Sequence, residues 1–177
     1  MIVGLTGKNA SGKGEVAGYL VKKGFSYFSL SDILREEAKK LGIEETRKNL
    51  IKLGNDMRKK HSAGILAKLI MKRLKGNCVV DSIRNPEEIE ELRKNKDFIL
   101  LGIDAPVEIR FERAKKRGRN ENAKTLSEFK TVEQKENLKK PENQQLDICL
   151  KMADKIIIND GNLESLHKRI DDLGWMK

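Results

Sequence analysis

A chain of 177 residues, 38% apolar and 36% charged, has enough apolar surface for one full core and too many charges for a membrane-embedded or disordered protein. Its length predicts a single domain spanning residues 1–177, and no apolar run approaches the roughly 20 residues that a membrane span needs. Two cysteines, Cys78 beside Val79 and Val80 and Cys149 between Ile148 and Leu150, exclude a disulfide framework and read as buried free thiols. The N-terminus lacks the basic and then long apolar pattern of a leader, so the expectation is a cytoplasmic protein.

In chain order, the first strand is predicted over Ile2 to Thr6, followed by a glycine loop and a helix from Lys13 to Lys23. A second strand runs from Phe25 to Leu30, and Ser31 or Asp32 caps a helix through Lys40. Residues 46–74 form two helices, with Leu50, Leu53 and Met57 on one stripe and Leu66, Leu69 and Ile70 on another. Cys78 to Asp81 is the third strand, Pro86 opens a helix through Lys94, and Phe98 to Ile103 is the fourth strand. Pro106 opens a helix through Lys116, Lys155 to Asn159 is the fifth strand, and Asn162 caps a last helix toward Leu173. Alternating strands and helices of this kind predict an α/β fold with a five-stranded parallel sheet covered on both faces.

The stretch from Arg119 to Gln145 is polar, poor in large apolar residues and interrupted by Pro141, which reads as a mobile lid near 117–145. Residues 110–140 hold eleven Lys and Arg against five Glu, a net +6 out of the total +10. A cationic segment this concentrated suits closure over a nucleoside triphosphate. A nucleic-acid surface would more often interleave exposed aromatics, and these are only 5% of the chain. For part of the segment, a solvated helix face is the alternative.

Gly7, four free positions, Gly12 and Lys13 follow the phosphate-loop pattern up to its final residue, where Gly14 replaces the usual Ser or Thr. The spacing has a physical basis. Glycines let consecutive backbone N–H groups turn inward on a polyphosphate, the following helix points its positive end at the same place, and Lys13 adds a mobile cation. Gly7, Lys8, Asn9, Ala10, Ser11, Gly12, Lys13, Gly14 and Glu15 are therefore the expected ATP-contacting set. A glycine-rich strand-to-helix turn is the bland alternative.

Four further segments arrive in order: Ser31-Asp32-Ile33-Leu34-Arg35, Val79-Val80-Asp81-Ser82-Ile83-Arg84, Arg110 to Arg117, and Ile157-Ile158-Asn159-Asp160-Gly161. Together with the loop they make nearly the whole chain resemble the nucleoside monophosphate kinase-like branch of phosphate-loop proteins. That branch includes dephospho-coenzyme A kinases, viral deoxynucleoside monophosphate kinases and the kinase-like domains ahead of some deoxycytidylate deaminase domains. The resemblance implies a three-layer P-loop NTPase fold, a helical acceptor-binding region near 32–75 and a basic lid near 117–145.

It also implies roles. Asp81 takes the place of the acid facing a magnesium ion, directly or through water; a strand-end cap is the alternative. Asp32, Arg35 and Arg84 become acceptor-binding residues, Arg84 gripping a phosphate. The alternatives are that Asp32 caps its helix, that Arg35 pairs with Glu36 or a neighbour and that Arg84 pairs with Glu87 or Glu88. Arg113 and Arg117, four residues apart, face the donor phosphates, and Asn159 and Gly161 lie against the donor base, an ordinary strand-to-helix turn being the alternative. Lys130 and Gln134 match lid donors only loosely, and His61 and His167 read as surface residues.

Adenylate kinases share the Gly-Lys-Gly ending but follow it with Thr, where this chain has Glu15. Magnesium is then expected to be held mainly by phosphate oxygens and water. The implied activity is magnesium- and ATP-dependent phosphoryl transfer to a small nucleotide, a (deoxy)nucleoside monophosphate first. Dephospho-coenzyme A kinase is the alternative enzyme, with Asp32 as base for a hydroxyl. A vestigial nucleotide sensor partnering a separate deaminase chain is the alternative of another class, and nucleic-acid binding through the lid a third. The sequence leaves the acceptor and the oligomeric state open.

Overall fold

The computed structural model describes residues 1–118, 123–137 and 140–174. The strands are β1 (Ile2–Thr6), β2 (Ser26–Ser29), β3 (Cys78–Ile83), β4 (Phe98–Asp104) and β5 (Lys155–Ile158). The helices are α1 (Lys13–Lys22), α2 (Leu30–Lys40), α3 (Arg47–Lys60), α4 (Ile65–Met71), α5 (Pro86–Arg93), α6 (Val107–Lys116), α7 (Leu126–Glu136), α8 (Leu146–Lys151) and α9 (Leu163–Asp171). The five strands lie in the order β2-β3-β1-β4-β5, every neighbour parallel. This is the expected α/β architecture.

The sheet is apolar on both sides because strand side chains alternate between its faces. Val3, Leu5, Val79, Leu101 and Ile103 meet Val16, Ala17 and Leu20 of α1 and Leu166 and Ile170 of α9. Ile2, Val80, Ile83 and Leu100 point the other way, into Ile33 and Leu34 of α2, Leu53 of α3, Leu66 and Ile70 of α4 and Ile89 and Leu92 of α5. Leu50, Met57 and Leu69 pack on the rim of that second cluster, so both predicted stripes face it. Each fully buried aliphatic side chain stabilises the fold by about 1.5–3 kcal/mol. Both cysteines are buried and free, and burial, then Glu88, push the Cys149 thiol up to about 12. No helix among the described residues is long and apolar enough to cross a membrane.

One expectation is corrected here, and the polar stretch carries a helix that the sequence did not announce. The cap of α2 is Ser29, whose hydroxyl accepts from the Ser31 amide at 3.3 Å, so neither Ser31 nor Asp32 caps it. Strand β2 stops one residue earlier than predicted and frees Ser29 for that role. The polar stretch 119–145 holds a helix, α7, started by a reciprocal Thr125–Glu128 capping box and anchored by Phe129, which is buried and tilted against Phe111 of α6. One aromatic supplies the apolar contact that a polar helix needs. Arg119, where that polar stretch begins, lies outside the described residues.

Candidate active site

The site is built where β1 gives way to α1. Thr6 ends the strand and donates its hydroxyl to the Ile83 carbonyl at 2.9 Å, fixing the end of β3 beside the loop. Gly7 has φ +143°, and a Cβ there would sit 2.1 Å from the Ile103 carbonyl oxygen; Gly12 has φ +106°, and its Cβ would sit 2.0 Å from Asn159 Nδ2. Both positions exclude any other residue. Gly12 offers no side-chain cap to α1, so the first-turn amides face outward toward whatever occupies the loop. Lys13 folds back over the loop and donates to the carbonyls of Gly7 at 2.6 Å and Lys8 at 2.9 Å. The Ser11 hydroxyl is fully buried in the cradle and has no hydrogen-bond partner among the described residues. A buried hydroxyl is costly to leave unpaired, and an oxyanion in the loop would satisfy it. Around Gly14 a Cβ would meet nothing within 4 Å, so a hydroxyl-bearing residue would fit there and this chain does without one.

Asn159, just after β5, braces the loop from the far side. Its amide donates to the Asp104 carbonyl at 2.7 Å and its Nδ2 to the Ser11 carbonyl at 2.8 Å. Arg113 donates to the Asn159 carbonyl at 3.1 Å and to its Oδ1 at 3.4 Å. Arg113 is held below the usual arginine range by burial and by Arg117, with Glu15 opposing, so the three charges are neighbours. Gly161 follows in the same turn, where a Cβ would meet Ser165 Oγ at 2.6 Å.

Charge converges on Lys13. Burial pushes its ammonium down to about 8; Asp81 opposes the shift, while Arg84, Arg47 and Arg110 add to it. One carboxylate and four cations at the mouth of an amide-lined loop make a receptor for a multiply charged anion. Asp81 Oδ1 accepts from the Ser82 amide, and Tyr27 donates to Oδ2 at 3.4 Å. Ser82 itself sits at φ +66°, an uncommon conformation for a non-glycine residue that turns the chain at the end of the site strand. Its hydroxyl accepts from Ser29 at 3.1 Å, and Ser29 is 2.8 Å from the Ser31 hydroxyl. Arg35 then donates to Ser31 Oγ at 2.8 Å and to Asp32 Oδ1 at 2.7 Å, with Glu45 at 3.8 Å. Arg35 therefore pairs with Asp32, and Glu36 pairs with Arg73 instead.

Over the loop lies a cleft of about 250 Å³, lined by Lys8 and Asn9, Val107 and Arg110 of α6, Lys130, Glu133 and Gln134 of α7, Asn137, and Leu146 and Asp147 of α8. Arg110 is the centre of that wall. It is buried, donates to the Ala105 carbonyl at 3.0 Å and to the Asn9 carbonyl of the loop at 3.4 Å, and is paired with Glu133 of α7. Lys8 pairs with Asp147 at 3.0 Å, so α8 is also tied to the loop. Lys130 reaches Glu108 at 3.8 Å.

The fold gathers Lys13, Asp81, Arg84, Arg113 and Asn159 around the loop, with Asp32 and Arg35 linked to it through the serine hydroxyls. Arg117 is exposed at the end of α6, beside Arg113. The Arg84 guanidinium donates to Gln144 at 3.0 Å, and its backbone amide donates to Glu88 at 2.9 Å. His61 is exposed, whereas His167 is half-buried and stacked on Tyr19 with ring centroids 4.0 Å apart. Sequence reasoning missed Arg110 and Arg47. Arg110 could have been found from its spacing, three and seven residues before Arg113 and Arg117 on one helix face. Arg47 carried a weaker signal, a cation in the first turn of α3 where the helix dipole disfavours one. Among the described residues, no group of three or more His, Cys, Asp or Glu is placed to hold a metal ion.

Comparison with known proteins gives the same fold. The AAA-domain family matches residues 3–139. A UPF0200 protein of Pyrococcus abyssi is 36% identical over 180 residues, covering 97% of this chain and 94% of its own. Shikimate kinase from Acinetobacter baumannii, solved in complex with shikimate, superposes with a TM-score of 0.60 at 14% identity over 97% of this chain and 91% of that one. The APS kinase of Mycobacterium tuberculosis, solved in complex with AMPPNP and APS, gives 0.56 at 19% identity over 97% and 95%. At such identities the likeness to the two kinases is one of fold, and that fold is P-loop kinase-like.

Proposed function

The chain belongs to the AAA-domain family and, with its Pyrococcus relative, to UPF0200; from that premise we propose that it is a phosphotransferase, moving a phosphoryl group from ATP to a small nucleotide, a (deoxy)nucleoside monophosphate first. The observation that carries the reading is the convergence of Asp81, Arg84, Arg47 and Arg110 on Lys13 inside a bare-amide loop. In this reading Lys13, the loop amides and the Ser11 hydroxyl hold the donor phosphates. Arg113 and Arg117 neutralise donor charge, Arg110 joins them, and Asn159 and Gly161 border the donor base. Arg35 and Arg84 place the acceptor, with Asp32 orienting Arg35. Helices α2 to α4 form the acceptor region and α6 to α7 the lid. Catalysis is positioning and electrostatic stabilisation, since the chemistry needs little from the protein beyond these.

The donor set suits magnesium held largely by oxygens that the protein does not supply. Asp81 is the carboxylate whose charge acts on Lys13, and Gly14 offers no hydroxyl, so Asp81 would hold the ion directly or through water. When bound, magnesium supplies charge neutralisation on the donor oxygens.

An anionic acceptor is favoured over a hydroxyl one because Asp32 is engaged by Arg35 at 2.7 Å, an arrangement that orients a guanidinium rather than frees a base. The bare Gly14 position motivates the second reading, a sensor without turnover that partners a separate deaminase chain. ADP release across a panel of ribo- and deoxynucleoside monophosphates and dephospho-coenzyme A decides, with Lys13→Ala as the blank. That variant is expected to fold normally and lose on the order of 100- to 1000-fold in rate. Turnover unchanged in Lys13→Ala refutes the assignment of the loop, and ATP binding without turnover on any acceptor favours the sensor.

A further inference from the structure

The Arg84–Asn85 turn between β3 and α5 is bonded both to the acceptor region and to the returning end of the lid. The amides of Arg84 and Asn85 donate to one oxygen of Glu88 at 2.9 and 3.1 Å. The other oxygen of Glu88 accepts from Arg58 of α3 at 2.8 Å. Asn85 is 1% exposed. Its Oδ1 accepts from the Glu87 amide at 3.0 Å, an ordinary helix cap that Asp or Ser would make equally well. Its Nδ2 does something a cap does not require. It donates to the carbonyls of Pro141 at 2.6 Å and Asn143 at 3.0 Å, 56 and 58 residues further along the chain. The same two strands of chain are joined again by the Gln145 amide on the Arg84 carbonyl at 2.8 Å and by Arg84 Nη1 on Gln144 at 3.0 Å. Beyond that, Asn137 at the end of α7 is bonded to Asp147 at the start of α8.

We propose that Asn85 is a positioning residue that couples the placement of Arg84 on the acceptor side to the seating of residues 140–145 and, through them, of lid helix α7. The inference rests on the phosphotransfer reading for its purpose and on the hydrogen bonds alone for its mechanics. An anion that draws the Arg84 side chain moves the Gln144 partner with it, while the Asn85 amide keeps the Pro141 and Asn143 carbonyls on the same turn. A site charged on its acceptor side then holds its lid root more firmly than an empty one, in which the Asn85, Arg84 and Gln145 bonds alone seat it.

The test uses Asn85→Asp and Asn85→Ser in the full chain. Both keep a capping oxygen, so α5 should survive, and both lose the amide that reaches Pro141 and Asn143. Amide hydrogen exchange without ligand is expected to speed up by about tenfold or more across 123–148, with α5, β1 and β3 unchanged. Inorganic pyrophosphate, used as the anion probe, is expected to slow exchange at 140–148 in the unaltered protein and to have little effect there in either variant. Exchange within twofold of the parent at 123–148, or acceleration spread evenly through α5 and the sheet, overturns the proposal and leaves Asn85 an ordinary cap. So does protection by pyrophosphate that is equal in parent and variants, or absent from all three. Binding of AMPPNP to the parent is a separate check. Its failure removes the donor reading while the exchange comparison still decides whether Asn85 ties the lid root.

Discussion

Two arginines in this molecule are almost wholly buried on a glutamate, and their surroundings give them different work. Arg58 (4% exposed) and Glu88 (0%) are closed in on every side. One oxygen of Glu88 takes Arg58 Nε and Nη2 at 3.1 and 2.8 Å, and the other takes the two amides of the Arg84–Asn85 turn, so no lone pair is left to offer a ligand. Arg110 (4%) and Glu133 (17%) meet at the wall of the cleft over the loop. Arg110 also touches the loop carbonyl of Asn9 and lies 5.8 Å from the Phe129 ring, while Glu133 is carried on a helix with little else buried. A buried ion pair recovers its desolvation cost only when every hydrogen-bonding group is matched. The first pair meets that condition as it stands, and the second borders the cleft, where on the phosphotransfer reading a phosphate takes the place of Glu133.

The largest expected effect tests the closed pair. Glu88→Ala leaves a buried guanidinium and two backbone amides without partners, and urea unfolding should show a loss of about 3–5 kcal/mol. Glu133→Ala removes a partner from a buried arginine that retains the Ala105 and Asn9 carbonyls at the wall of the cleft, and should cost less, about 1–3 kcal/mol. Equal losses in the two variants would erase the distinction between the pairs.

A smaller effect tests the open pair. If Arg110 turns to the donor phosphates, Arg110→Ala should lower ADP formation by about 100-fold, in the range of one lost preorganised donor. Glu133→Ala should lower it far less, because the cation stays in place. Turnover by Arg110→Ala close to the parent's would make Arg110 a packing residue of the α6–α7 contact, and the cleft would lose its claim to the transferred group.

The difference between the two pairs also marks how far the sequence could be read. All five strands, seven of the helices and the loop were legible because each is written locally, in alternation, in helical stripes, and in the spacing from Gly7 to Lys13. Helices α7 and α8 were not, since α7 rests on the single aromatic anchor Phe129 and α8 spans only Leu146–Lys151. Among the proposed site residues, Lys13 was read from the spacing of the loop, and Asp81 and Arg113 from the resemblance. Arg58 with Glu88 joins residues 30 apart, and Asn159 with Ser11 residues 148 apart, which no local pattern announces. Asn85 shows the limit most plainly: it caps α5 just before Pro86, a local role, while its second bond set depends on where the chain returns after α7.

The smallest effect separates Lys13 from the arginines around it, which stay charged at every accessible pH. In the free protein Lys13 loses its proton near about 8, against an ordinary value of 10.5. Between those limits the unfolded chain holds a proton that the folded chain has released, so this group makes stability rise with pH across the window; below about 8 the cost of burying the cation is present in full. Ligand binding runs the opposite way. A polyphosphate in the loop stabilises the ammonium, so AMPPNP affinity should fall as pH rises through about 8, and binding at pH 9 should take up as much as about one proton. Calorimetry at pH 9 in two buffers of different ionisation heat measures that uptake directly. Lys13→Met should bind more weakly and take up none, while Arg110→Ala, which removes one of the cations that depress Lys13, should show a smaller uptake than the parent. Uptake that is the same in Lys13→Met and the parent would mean that the proton belongs to another group, and that Lys13 does not meet the phosphates.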